Sequence, residues 1–143
     1  MIGSIVKRKG SEVVSVAPTD TVLAVARVLT ERRIGAALVR DAAGRLIGII
    51  SERDIVGGMA NQGQGTTQLP AERLMTRDLI TATPQTQVTE AMELMTRHRV
   101  RHLPVMENGA LVGLVSIGDL VKARIDEAEH EAAELKAYVV SAG

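Results

Sequence analysis

An internal repeat is the feature that most constrains how this chain can fold. Residues 16–56 align with residues 82–121 when one residue of the first copy is skipped, and the polarity pattern repeats along with the identities. Ten of the identical pairs are Pro18/Pro84, Val22/Val88, Thr30/Thr96, Arg33/Arg99, Val39/Val105, Gly44/Gly109, Leu46/Leu111, Gly48/Gly113, Ser51/Ser116 and Asp54/Asp119. This match predicts two copies of one small unit, and each copy exposes an apolar face that the other can cover.

Each copy begins with a strand and an amphipathic helix. In the first copy, a β-rich run over 12–16 ends before Pro18, and Asp20 or Thr21 can N-cap the helix that follows. Both helices carry an apolar stripe with helical spacing. The stripe residues are Val22, Val25, Ala26 and Leu29 in the first copy and Val88, Ala91, Met92 and Met95 in the second.

Two further strands and a second helix complete each copy. The predicted strands cover Ala36–Arg40 and 46–50 in the first copy, and 102–106 and 111–115 in the second. The turns 41–44 and 107–109 join them, and a helix then begins at Ser51 or Ser116, both of which are good N-caps. The sequence therefore predicts an α/β (α+β) fold of two tandem β-α-β-β-α repeats with a pseudo-twofold relation.

We expect one structural module with extensions at both ends. The predicted boundaries are an N-terminal segment (1–9), the first repeat (10–66), a linker with a short helix (67–76), the second repeat (77–125) and a C-terminal helical extension (126–143). Residues 61–69 are rich in Gly, Gln and Thr, which is typical of a mobile linker, and 70–75 suit a short helix.

A long amphipathic helix is predicted after Asp119. Its apolar residues follow one another at intervals of 4-3-4-3-4 and form a narrow seam. The seam residues are Val121, Ile125, Ala128, Ala132, Leu135 and Val139. Two interpretations stay open: the helix packs back on its own module, or it pairs with a second copy, since Ala128 and Ala132 allow close approach.

Composition argues against several classes of protein. Lys+Arg and Asp+Glu number 17 each, so the formal net charge is zero and does not point to nucleic acid or an anionic membrane. The lack of Cys, Phe and Trp excludes disulfides and thiolate metal sites and argues against base stacking. His98, His102 and His130 lack metal-ligand spacing. We expect a soluble, cytoplasmic protein without a metal, a membrane contact or a nucleic-acid partner.

The segments 48–54 and 113–119 both follow the pattern Gly-x-x-Ser-x-x-Asp and carry the candidate ligand chemistry. The glycine lets backbone approach a ligand, and the serine lies at a helix N-terminus, where N–H groups and the helix dipole favour phosphate. The aspartate can accept two hydrogen bonds from the vicinal hydroxyls of a ribose. The alternative is that Ser-x-x-Asp is only a helix cap, but its recurrence after each hairpin favours binding.

These segments resemble the signature of the cystathionine-β-synthase (CBS) domain, a glycine followed at fixed spacing by Ser or Thr and by Asp or Asn. GIISERD and GLVSIGD match it, RRIGAALV and HRVRHLPV resemble the family's second strand, and VAP and TATP resemble its first. The resemblance covers roughly residues 10–121, and the chain is similar to stand-alone CBS pairs of bacteria and plant organelles. It implies a non-catalytic regulatory module that binds AMP, ADP or ATP, or else NAD(H) or S-adenosylmethionine. A disk-like homodimer and an unknown regulated protein are the implied partners.

The family pattern further implies two unequal clefts, each combining Ser and Asp of one repeat with an adenine pocket from the other. The first cleft joins Ser51, Arg53 and Asp54 to Leu79, Ile80, Arg99, Arg101 and His102. The second cleft joins Ser116 and Asp119 to Val13, Val14, Gly35 and Ala36. Because the basic run 97–102 supplies charge for a phosphate only to the first cleft, we expect tighter nucleotide binding there.

Two alternatives remain open at this point. The basic run can be a solvated face, with Arg97, Arg99 and Arg101 paired to Glu90, Glu93 or the acidic tail. The whole chain can be a dimerisation or interaction scaffold without a small-molecule ligand. Catalysis is not expected, because no Ser/His/Asp spacing suggests a triad and no cysteine is present.

Overall fold

The order of helices and strands follows the predicted repeat. In this computed structural model, which describes residues 1–10 and 12–142, the helices are α1 (Gly3–Lys9), α2 (Val22–Arg32), α3 (Glu52–Gln62), α4 (Val88–His98) and α5 (Ile117–Ala142). The strands are β1 (Ser15–Val16), β2 (Ala36–Arg40), β3 (Leu46–Ser51), β4 (His102–Glu107) and β5 (Ala110–Ser116). Two short 3-10 helices, Gly63–Gln68 and Ala71–Arg73, follow α3.

Contacts within the chain define two units. The first-repeat unit is Glu12–Leu79, and the second-repeat unit is Met1–Ser11 with Ile80–Gly143. The predicted linker and short helix (67–76) group with the first repeat, whereas the N-terminal segment groups with the second.

The first-repeat unit contains a three-stranded sheet in the order β1-β2-β3. Strand β1 is parallel to β2, and β2 is antiparallel to β3, with Ala36 opposite Ser51. Helix α2 begins as predicted, since the Thr21 hydroxyl accepts a hydrogen bond from the Ala24 N–H at 3.1 Å. Its stripe is buried at Val22, Val25 and Leu29.

The second-repeat unit repeats this plan with a shorter first strand. Strands β4 and β5 are antiparallel, and the predicted first strand is reduced to a single parallel bridge between Ala82 and Val105. Asn108 and Gly109 both have positive φ, 51° and 78°, which closes the hairpin directly between Glu107 and Ala110.

Helix α1 is an element that the sequence interpretation missed. Ile2 and Ile5 belong to the core of the second-repeat unit, and the Ile2 N–H donates to the Thr86 carbonyl at 2.8 Å. Val6 packs against the same core. The N-terminal segment is therefore part of the second repeat's core rather than a separate extension.

The segment predicted as a mobile linker is ordered. Asn61 and Gln62 end α3, and a 3-10 helix occupies Gly63–Gln68. Thr66 is fully buried, and its hydroxyl lies 2.7 Å from the Gly63 carbonyl and 3.1 Å from the Gly58 carbonyl. The composition that suggested flexibility instead lets the chain turn tightly and bury one small polar side chain.

Helix α5 extends away from the core of its own unit. Leu120 and Ala123 are buried, but the later seam residues, Ile125, Leu135 and Val139 among them, are exposed. The interpretation that this helix packs back on its own module is therefore wrong beyond its first two turns. Its pairing with a second copy stays a prediction.

Candidate functional site

The first-repeat Ser-x-x-Asp segment is a closed capping box at the start of α3. The Asp54 N–H donates to the Ser51 hydroxyl at 3.2 Å, and the Ser51 N–H donates to Asp54 Oδ2 at 2.9 Å. The Ser51 hydroxyl donates to the same carboxylate oxygen at 3.0 Å. Both side chains are half-buried and held in one geometry.

The second-repeat segment forms the same reciprocal pair at the start of α5. The Asp119 N–H donates to the Ser116 hydroxyl at 3.2 Å, and the Ser116 N–H donates to Asp119 Oδ2 at 2.8 Å. Here the carboxylate has an added partner, because Lys9 Nζ lies 2.7 Å from Oδ2. Burial acts to raise the pKa of Asp119, but the hydrogen bonds from Lys9 and Ser116 outweigh it, and the pKa lies below its ordinary value.

The helix-cap interpretation is thus confirmed in both repeats, yet each box keeps unused polar groups. All protein hydrogen bonds to Asp54 and Asp119 in the described chain end on Oδ2, so Oδ1 of each remains available as an acceptor. The N–H of the second residue of each helix, Arg53 or Gly118, likewise has no described partner. A cap and a ligand contact are therefore compatible in the same pair of side chains.

The glycines of the two segments have a different role from the one expected. Gly48 and Gly113 are buried, and a Cβ on either would meet a packed side chain rather than open ligand space. It would lie 2.6 Å from Met75 Sδ at Gly48 and 2.7 Å from Val6 Cγ1 at Gly113. Close backbone approach to a ligand is therefore a wrong explanation for these glycines, which instead make room for a segment that covers the strand.

Strand pairing brings other candidate residues next to each box. In the first-repeat unit, Ala36 is opposite Ser51, and the Gly35 carbonyl accepts from the Glu52 N–H at 2.9 Å. In the second-repeat unit, His102 is opposite Ser116. The Arg101 carbonyl accepts from the first N–H of α5 at 2.9 Å. The structure thus places each of these residues beside the box of its own repeat, and the predicted grouping across repeats remains a prediction.

The remaining candidates lie at strand entries and helix ends. Val13 and Val14 are half-buried, and the Val14 carbonyl accepts from β2 at 3.1 Å. Leu79 and Ile80 are also half-buried, whereas Arg53 is exposed on the first turn of α3.

The basic run is a solvent-exposed group of guanidinium side chains. Arg99 ends α4 in the left-handed region with φ 54°, and Arg33 ends α2 with the same φ. The two repeats therefore share this backbone conformation as well as the residue. Arg97, Arg99 and Arg101 are exposed and form no ion pair with any described carboxylate. The alternative in which they pair with Glu90, Glu93 or the acidic tail is therefore wrong for the described residues.

Lys9 is the residue at this site that sequence reasoning missed. It is 110 positions from Asp119, and it touches the box only because α1 packs on β5. Three basic residues follow the apolar residues of α1. This cluster near the start of a neutral chain was the only sequence feature that could have indicated a role for Lys9.

The CBS domain family model matches residues 2–61 and 71–126. The chain belongs to the CBS domain family. Both matched CBS segments contain one Ser-x-x-Asp box, so the two boxes are equivalent features of a CBS pair. Within the described residues, every helix is too short or too polar to span a membrane.

Relatives of this CBS pair include proteins of known sequence and solved structures. The mitochondrial CBS domain-containing protein CBSX3 of Arabidopsis thaliana is 39% identical over 124 residues, and the chain spans 60% of that protein's length. A crystal structure of a CBS-domain protein from Agrobacterium tumefaciens has a TM-score of 0.84 and 41% identity, over 86% of this chain and 92% of that one. A CBS domain protein from Pyrobaculum aerophilum complexed with AMP has a TM-score of 0.71 and 32% identity, over 80% and 88%.

Proposed function

We propose that this CBS pair is a non-catalytic regulatory module that binds an adenosine-containing ligand and reports energy or redox state to a partner protein. AMP, ADP and ATP are the first candidates, and NAD(H) and S-adenosylmethionine share the same adenosine group. The observation that carries the proposal is the pair of ordered boxes, Ser51/Asp54 and Ser116/Asp119, each with a half-buried carboxylate whose Oδ1 accepts no hydrogen bond from the described residues. The AMP complex of the Pyrobaculum relative supports the choice of ligand class.

Each box offers two kinds of contact suited to a nucleoside phosphate. The carboxylate of Asp54 or Asp119 can accept hydrogen bonds from the two ribose hydroxyls. The N-terminal end of α3 or α5 offers a phosphate the positive end of the helix dipole and one N–H that bonds no described residue. Because the capping hydrogen bonds already fix the serine and aspartate rotamers, little conformational entropy is lost when the ligand binds.

The exposed guanidinium groups of Arg99 and Arg101 are the proposed source of charge for the phosphate. Backbone contacts join Arg101 to Ile117 and pair His102 with Ser116, at the start of α5, whereas the family pattern assigns Arg101 and His102 to the cleft of Asp54. The two assignments separate in Asp54→Asn and Asp119→Asn backgrounds. If Arg101 belongs to the cleft of Asp54, Arg101→Ala weakens binding only in the Asp119→Asn background. If Arg101 belongs with Asp119, it weakens binding only in the Asp54→Asn background.

Calorimetry tests the proposal. AMP, ADP, ATP, NADH and S-adenosylmethionine are titrated into the wild type, Asp54→Ala and Asp119→Ala, with Asp126→Ala on the exposed part of α5 as the matched control. We expect at least one adenosine ligand to bind, and loss of either box aspartate to weaken its site about ten- to hundredfold, as for a hydrogen bond to a charged group. The control leaves binding unchanged, and the ligand is recovered chemically intact after hours of incubation.

A second candidate function is a dimerisation or interaction scaffold. The exposed apolar residues of α5, which include Ile125, Leu135 and Tyr138, favour it, since large apolar side chains exposed in a row are typical of a contact surface. If none of the five ligands gives binding heat, the scaffold is the only one of the two functions that remains. A rise of the melting temperature with ligand concentration would exclude it as the sole function.

A further inference from the structure

A lysine from the N-terminal helix occupies one of the two boxes. Lys9 Nζ lies 2.7 Å from Asp119 Oδ2 and 3.0 Å from the Leu114 carbonyl oxygen. We propose that Lys9 is a built-in competitor that holds the Asp119 carboxylate and weakens adenosine binding at the second-repeat box relative to the first. This inference rests on the proposed function, because it assumes that the box aspartates bind ribose hydroxyls.

The position of Lys9 is fixed by the packing of α1 rather than by its flexible side chain alone. Ile2 and Ile5 are buried in the second-repeat core, and the Gly3 N–H donates to the Pro84 carbonyl at 3.0 Å. Val6 lies against Gly113 of β5. Since α1 ends at Lys9, the same packing that buries its apolar residues delivers the ammonium group to the start of α5.

The two vicinal hydroxyls of a ribose use both oxygens of a carboxylate, so one of them can bond Oδ1 of Asp119 while the other competes with Lys9 for Oδ2. Oδ2 of Asp119 already accepts from the Ser116 N–H and from Lys9, and two donors saturate the lone pairs of one carboxylate oxygen. In the first repeat, the second donor to Asp54 Oδ2 is the Ser51 hydroxyl, which can rotate away at little cost. A ribose at Asp119 must instead displace an ammonium group that also bonds the Leu114 carbonyl.

The first repeat has no equivalent of Lys9. Met75 covers Gly48 as Val6 covers Gly113, so the two covering segments occupy matching positions on β3 and β5. The residue three positions after Val6 is Lys9, whereas the residue three positions after Met75 is the acidic Asp78. Within Glu12–Leu79, no described lysine or arginine forms an ion pair with Asp54. The two boxes have the same residues and the same capping hydrogen bonds, but among the described residues only the carboxylate of Asp119 has a lysine partner.

The test measures AMP binding by calorimetry in an Asp54→Asn background, which leaves only the second-repeat box intact. Lys9→Met removes the ammonium group and keeps the apolar length of the side chain, and Lys9→Ala serves as a second variant. Lys7→Met is the matched control, because it removes the same charge from an exposed position of the same helix. Thermal unfolding of each variant without ligand verifies that it is folded.

We expect Lys9→Met and Lys9→Ala to tighten AMP binding about two- to fivefold, the size that a partly exposed ion pair allows. Lys7→Met leaves the affinity unchanged, and Lys9→Met has no effect on AMP binding in an Asp119→Asn background that keeps Asp54. Unchanged or weaker binding in both Lys9 variants overturns the inference while the wild type still binds AMP, and weaker binding assigns Lys9 to the ligand itself. If the wild type binds no adenosine ligand at all, the proposed function fails, and the inference fails with it.

Discussion

Gly113→Ala probes the contact that holds α1 on the second repeat. Gly113 is buried in β5, and an added Cβ would lie 2.7 Å from Val6 Cγ1 and 3.0 Å from Cγ2. Distances this short require a shift. Because Val6 is β-branched and lies in a helix, its side chain has one strongly preferred rotamer and cannot simply turn away. The whole of α1 must therefore move outward from β5.

The expected cost follows from two opposing terms. Inserting a methyl group into a packed core costs about 1–3 kcal/mol. Replacing glycine by alanine also restricts the unfolded chain, which stabilises the fold by about 0.4–1 kcal/mol. We therefore expect Gly113→Ala to lower the free energy of unfolding by about 1–2 kcal/mol. Gly57→Ala is the matched control, since its added Cβ meets no described atom within 4 Å and it lies inside α3. It should stabilise by about 0.5–1 kcal/mol.

Urea unfolding at neutral pH, followed by circular dichroism, measures both variants. The decisive variant combines Val6→Ala with Gly113→Ala, which removes the two methyl groups that clash with the new Cβ. Its free energy of unfolding should exceed the value expected from adding the two single effects, because the clash no longer exists. If Gly113→Ala costs the same in the wild-type and Val6→Ala backgrounds, the contact with Val6 is not its cause and the explanation given for this glycine is refuted.

Three further predictions concern other parts of the chain. Leu120→Ala should cost about 2–5 kcal/mol and Leu135→Ala less than about 0.5 kcal/mol in unfolding experiments, because these leucines on the same helix are 0% and 65% exposed. A cost at Leu135 that grows with protein concentration would instead show that a second copy covers the helix. Thr66→Val keeps the buried shape but loses the hydroxyl bonds, and should cost about 1–3 kcal/mol; a neutral result would contradict the ordered structure of this segment. The stability difference between wild type and Lys9→Met should be present above about pH 4, the ordinary pKa range of an aspartate, and vanish as pH falls through the lowered pKa of Asp119. Urea unfolding at pH values from about 7 down to about 2 follows this loss, and a difference that stays constant as the pH falls below about 4 would contradict it.

The elements that could be predicted from sequence are those fixed by local chemistry. Thr21, Ser51 and Ser116 cap helices within three residues of themselves, and Asn108–Gly109 supply the two positive φ values of a tight hairpin. The duplication added weight to each of these signals, since the same cap or turn recurs at the equivalent position. The α+β class and the CBS pair were correct for this reason.

The features that could not be predicted depend on contacts distant in sequence. Helix α1 has only seven residues, and its burial depends on a core formed by residues from 80 onward. The ordered segment after α3 depends on one threonine whose hydroxyl reaches back to Gly58. The role of Gly48 became clear only with Met75 placed against it. The partners of α1 and of Gly48 lie beyond helical or hairpin reach, and the single hydroxyl bond from Thr66 to Gly58 follows no repeating pattern, so no periodicity reveals these contacts.

The Ser-x-x-Asp boxes show why the same residues supported both a structural and a functional interpretation. A capping box stabilises its helix by about 1 kcal/mol, enough to be selected without any ligand. Yet the hydrogen bonds that form the cap also lock Ser51 and Asp54 in one orientation, and they leave Oδ1 unused for a ribose hydroxyl. The two roles are therefore not alternatives, because the cap provides the preorganised geometry for the ligand. What distinguishes the repeats is the third partner: Asp119 is held by Lys9, and Asp54 is held by its own serine. The two Ser-x-x-Asp boxes are nearly identical, and they differ because different segments cover the neighbouring strands. These covering segments lie outside the aligned repeat, so comparison of the two copies could not predict the difference.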